Sequence, residues 1–141
     1  MNRNYDMNDK DRQYDFDDLV EIISRLRAPD GCPWDIKQTH ESLKKCLAEE
    51  SGEVMDAIDA KDDANLCEEL GDLLLQVVMH AQIASEGGRF TMDDVIQGIC
   101  EKMIRRHPHV FGDIKVTSQE ESLKLWEEIK KKEKITSPDE T

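Results

Sequence analysis

Between Thr39 and Glu86 the chain carries two long helical periods, separated only by a few residues around Lys61–Asp63. A connection that short makes the two helices pack antiparallel as a hairpin. On the first helix, about Thr39–Ala60 with Thr39 as N-cap, Leu43, Leu47, Val54, Ala57 and Ile58 share one stripe. On the second, about Ala64–Glu86 and stopped by Gly87-Gly88, the stripe is Leu66, Leu70, Leu73 and Val77. The second helix is apolar beyond that stripe, at Leu74, Val78 and Ala81, which makes it either deeply central or half of a dimer interface.

Acids interrupt this pattern. Glu50 falls in the middle of the first stripe, with Glu53 about 60° to one side. Glu69 flanks the second stripe, and Asp72 lies one step further round the same side. A carboxylate facing a core is costly unless it is paired or holds a metal. In an antiparallel hairpin, residues equidistant from the turn face each other. Glu53 and Glu69 are equidistant from position 61, and so are Glu50 and Asp72. Four carboxylates thus meet at one level, where their mutual repulsion calls for a cation. All-oxygen ligation suits Mg²⁺ or Mn²⁺ over zinc. The competing reading is of solvated acids on an acidic protein.

Three further helices are predicted: about Asp17–Arg27, from Thr91 to just before Pro108, and from the capping-box pattern at Ser118 to about Lys134. The expected fold is therefore all-α, a bundle of about five helices around the acidic hairpin. With 141 residues the chain suits one domain over 16–135, with a disordered arm over 1–15 and a flexible tail over 136–141. A formal charge of −13 repels a phosphate backbone, so nucleic acid is not an expected partner. No apolar run is long enough for a membrane span, and the polar N-terminus has no secretory segment. The four cysteines include no CxxC pair, which fits reduced thiols in a cytoplasmic protein.

At Glu49-Glu50-Ser51-Gly52-Glu53 and Glu69-Leu70-Gly71-Asp72 the sequence resembles the MazG-type nucleoside triphosphate pyrophosphohydrolases, an all-α family with an EExxE then ExxD signature. Supporting segments are Leu26-Arg27, Gly31-Cys32-Pro33-Trp34-Asp35, Gly88-Arg89-Phe90 and the run from Arg105 to Gly112. The resemblance covers about Leu19 to Lys134. It implies Mg²⁺-dependent hydrolysis of nucleoside triphosphates between the α- and β-phosphates, giving monophosphate and pyrophosphate, in nucleotide-pool control or house-cleaning. It also implies a homodimer or higher homo-oligomer. Longer members carry two such domains and this chain carries one, with segments that look like the N-terminal copy.

Under this resemblance Glu50, Glu53, Glu69 and Asp72 are the metal ligands, and Glu49 is a candidate for orienting or deprotonating water. Lys102, Arg105 and Arg106 either grip triphosphate oxygens or complement a helix dipole. Trp126 and Lys130 either close over base and phosphate, or Trp126 anchors a core. Trp34 and Lys37 have the same two readings, stacking or packing. His80 reads as a satisfied core histidine, and His107 and His109 are assigned no chemistry. A phosphoribosyl-ATP pyrophosphohydrolase and a catalytically inactive nucleotide-binding or regulatory module are the alternatives. A di-iron bundle is disfavoured because no His has a Glu three positions before it.

Overall fold

In the computed structural model, which describes residues 3–136, helices follow one another with no strand among the described residues. They are α1 (Phe16–Leu26), α2 (Pro33–Lys37), α3 (His40–Asp59), α4 (Asp63–Glu86), α5 (Met92–Arg105), α6 (Pro108–Phe111) and α7 (Gln119–Thr136). The two beyond the expected five are the short α2 and α6. Each opens at a proline, whose fixed φ suits a first helical turn. Elements of five and four residues are too short to leave a periodic signal. Residues up to Met92 and residues from Asp93 onward form two compact units.

In the first unit α3 and α4 pack on each other and α1 packs on α4. Thr39 caps α3: its hydroxyl accepts from Ser42 N at 3.0 Å, and the Ser42 hydroxyl accepts from Thr39 N at 2.8 Å. The hairpin turn is a Schellman closure with lysine in the left-handed position. Lys61 has φ 55°, its N donates to Ile58 O at 3.1 Å, and Asp62 N donates to Ala57 O at 3.2 Å. Asp62 then caps α4 by accepting from Asn65 N at 3.2 Å. The far end of α4 closes in the same way, with Gly88 at φ 70°.

Ile23, Leu43, Val78 and Met79 form the core, flanked by Phe16, Leu19, Val20, Leu75, Ile83 and Met92. This corrects the stripe expected on α4. Leu70 and Val77 stay 48% and 39% exposed, while Val78, Met79 and Ala81 turn inward. The run Leu73-Leu74-Leu75-Gln76-Val77-Val78-Met79 is apolar nearly all round, so periodicity alone could not choose its buried side.

Residues of the expected arm, Arg3 and Tyr5, bond to the start of α1. Arg3 Nη1 donates to Asp18 at 2.7 Å and to Asp15 at 3.0 Å, and Tyr5 Oη bonds both Asp18 and Glu21 at 3.0 Å. Arg3 beside it holds the buried Asp18 carboxyl well below the usual range. Acids at the start of α1 collect the Arg3 side chain, a charge pairing over 12 and 15 residues that leaves no periodic trace.

In the second unit two arginines at the end of α5 converge on one acid of α7. Arg105 Nε donates to Glu133 at 2.6 Å, and Arg106 Nε and Nη2 donate to its other oxygen at 3.1 and 3.0 Å. Helix α7 runs to Thr136, and the rest of the expected tail, 137–141, lies outside the described residues.

Candidate active site

The Lys61 turn sets the register of the hairpin, and the register brings the acids together. Glu50 of α3 and Glu69 and Asp72 of α4 each offer a carboxylate oxygen, all within 4.8 Å of one another. One oxygen of Glu50 and one of Glu69 are buried with no hydrogen-bond partner. Glu53 is exposed and lies within hydrogen-bonding reach of the Glu69 carboxyl. That contact, together with burial and the nearness of Glu50, pushes Glu69 up to about 7. Burial raises Glu50 as well, and the charges of Glu53 and Asp72 add to it, against a hydrogen bond with Glu69 that pulls it down. Buried, mutually repelling oxygens without donors are what a hard divalent cation would satisfy, so the residues fit such an ion. Glu49 does not join the cluster. It lies on the exposed side of α3, 3.9 Å from Lys45.

Trp34 and Lys37 lie on α2, and Trp34 is 58% exposed. A residue not singled out from the sequence holds this helix. The Arg27 guanidinium donates to Asp35 O at 2.6 Å and Gln38 O at 2.9 Å, and forks onto Glu86 at 2.8 and 2.9 Å. Glu86 ends α4, and fourteen residues of helix from Asp72 to Glu86 span about 21 Å. The clamp therefore fixes α2 at the end of α4 away from the carboxylates.

The remaining candidates, Lys102, Arg105, Arg106, Trp126 and Lys130, belong to the second unit. Arg106 lies 5.2 Å from the centre of the Trp126 ring, and His107 meets that ring edge-on. Trp126 with His107, His109, Gln119, Ser122 and Leu123 lines a cleft of about 380 Å³. Lys130 is exposed and, with Glu127, Lys131 and Lys134, lines a smaller one. Glu133, which gathers both arginines, was not picked out from the sequence because its partners lie 27 and 28 residues away.

His80 departs from the satisfied core histidine expected. Its Nδ1 meets His40 Nδ1 at 2.8 Å, but its Nε2 is buried without a partner.

A helical hairpin with clustered acids on facing helices defines an all-α class whose chemistry is that of a carboxylate-held cation. Residues 38–111 match the MazG nucleotide pyrophosphohydrolase domain family, and the chain belongs to that family. It is 60% identical over 119 residues to the nucleoside triphosphate pyrophosphohydrolase/pyrophosphatase MazG of Thermotoga maritima, covering 84% of this chain and 45% of the relative. It is 56% identical over 124 residues to the uncharacterized protein YabN of Bacillus subtilis, covering 88% of this chain and 25% of that one. The crystal structure of a mazG-related protein from Thermotoga maritima superposes with a TM-score of 0.69 at 38% identity, covering 82% of this chain and 98% of that one. The chain spans between a quarter and under half the length of these two curated relatives.

Proposed function

We propose that this chain hydrolyses nucleoside triphosphates between the α- and β-phosphates, releasing nucleoside monophosphate and pyrophosphate, as a cytoplasmic enzyme of nucleotide-pool control or house-cleaning. The observation that carries this reading is the trio of oxygens within 4.8 Å, two of those three side chains each holding a buried oxygen without a donor. Glu50, Glu53, Glu69 and Asp72 would hold Mg²⁺ or Mn²⁺. Bound there, the ion supplies bridging of phosphate oxygens and neutralisation of the charge that develops on them. Glu49, released from Lys45, is the candidate for orienting or deprotonating water. Lys102, Arg105 and Arg106 are candidates for the phosphates, with Glu133 cancelling one of the two guanidinium charges. Trp126, Lys130, Trp34 and Lys37 are candidates for the nucleoside end. The exposed Leu47, Ile58, Leu70, Leu74 and Val77 on the hairpin support a homodimer.

The test is product analysis with each NTP and dNTP, with and without Mg²⁺. Equal pyrophosphate and monophosphate, only with the metal, is the expected result. Diphosphate plus orthophosphate would exclude the mechanism, and binding without products would favour the inactive module.

A further inference from the structure

The buried polar atoms of the first unit that lack partners lie along one face of its hairpin: Glu50 Oε2 and Glu69 Oε2, then Gln76 Oε1 and His80 Nε2. Gln76 follows Asp72 by one helical turn and His80 follows Gln76 by another, so both continue the face that carries Glu69 and Asp72. Helix rise places them about 6 and 12 Å beyond Asp72. Gln76 is 9% exposed, and an amide oxygen that deep without a donor costs the fold unless something else satisfies it.

The proton on His80 is fixed by a relay. Arg89 Nη2, a donor only, lies 2.8 Å from His40 Nε2, which must therefore accept. The His40 proton then sits on Nδ1 and is donated to His80 Nδ1 at 2.8 Å. The two rings are parallel within 2°, with centroids 5.0 Å apart, as an in-plane N–H···N bond requires. The proton of neutral His80 is left on Nε2, aimed away from the pair. His80 thus offers a fixed donor, and Gln76 an amide that can turn to present either end.

We infer that Gln76 and His80 form an edge that recognises the nucleoside part of the substrate. This rests on the proposed function, which places phosphates at the carboxylates. Neither group carries charge, and an amide oxygen repels phosphate oxygens, so the pair is unsuited to the triphosphate itself. A base edge or ribose hydroxyl, presenting both acceptor and donor, matches it. The nucleoside is also the next segment of a nucleotide whose phosphates are already held one and two turns away.

The experiment compares the parent with Q76M, H80M and H80Q in saturating Mg²⁺, measuring kcat/KM for ATP, GTP, CTP and UTP. In Q76M and H80M the ratio of best to worst nucleotide should fall by about tenfold or more, chiefly through KM. H80Q keeps a donor and should keep the preference. A uniform change across all four nucleotides, or none, overturns the inference and leaves these atoms to scaffold or water. In EDTA the urea midpoint of Q76M should equal or exceed the parent's, because an orphaned amide has been removed. A clear drop would show an internal partner and overturn the inference too. If H80M does not fold, Q76M decides alone. If the parent hydrolyses none of the four, the proposed function fails. The edge is then decided by titrating the four nucleoside monophosphates into parent and Q76M: binding weakened in Q76M supports it, and equal or absent binding overturns it.

Discussion

Glu50 and Glu69 face each other across the α3–α4 hairpin, each with one carboxylate oxygen buried and unpartnered. In metal-free protein such a pair opposes folding, because the hydrogen bond between the two only partly offsets desolvation and repulsion. The same pair is the strongest part of the cation site.

Glu50→Gln separates the two effects. In EDTA its denaturant midpoint should match or exceed the parent's. In saturating Mg²⁺ the rate of pyrophosphate release should fall by about 10²–10³, the usual size of a lost electrostatic contribution. The rise in Tm that Mg²⁺ gives the parent should shrink in the variant. A variant that unfolds easily while its folded fraction stays active would make Glu50 structural.

Glu69 sets a pH dependence. Its native value, raised to about 7 from the ordinary 4.5, means the folded state holds this proton more tightly than the unfolded chain. Its contribution to stability is complete below about 4.5 and is lost as pH rises through about 7. In EDTA, Tm should therefore fall over this range because of Glu69, and less so in Glu69→Gln. His80, lowered from 6.5 first by burial and then by His40, works in the opposite sense, losing stability as pH falls below about 6.5. The difference between parent and Glu69→Gln isolates the acid. A bound divalent cation favours the ionised form and should abolish the difference.

Lys61 is the register point of the site, and it sits at φ 55°. A left-handed lysine costs about 1–2 kcal/mol that glycine does not, partly offset by the extra freedom of glycine in the unfolded chain. Lys61→Gly should raise the unfolding free energy by up to about 1 kcal/mol, read as a higher urea midpoint at unchanged m-value. Lys61→Pro cannot adopt this φ and loses the bond to Ile58 O. It should destabilise the fold and also weaken the Mg²⁺-induced rise in Tm.

Local chemistry was legible from residue order. Thr39 caps its helix because a side-chain oxygen three residues before a free N–H needs no tertiary partner. The acids at 50, 69 and 72, which the structure brings within 4.8 Å, could be placed together because helical period and a short turn are enough to bring them to one level. Only the tertiary structure decided which side of an almost wholly apolar α4 is covered, since that depends on where α1 and α3 lie. It alone brought Arg27 to Glu86, His40 to His80 and Arg105 to Glu133, partners 59, 40 and 28 residues apart. Period and capping act over one to four residues, whereas these contacts depend on which surfaces the packed helices bring together.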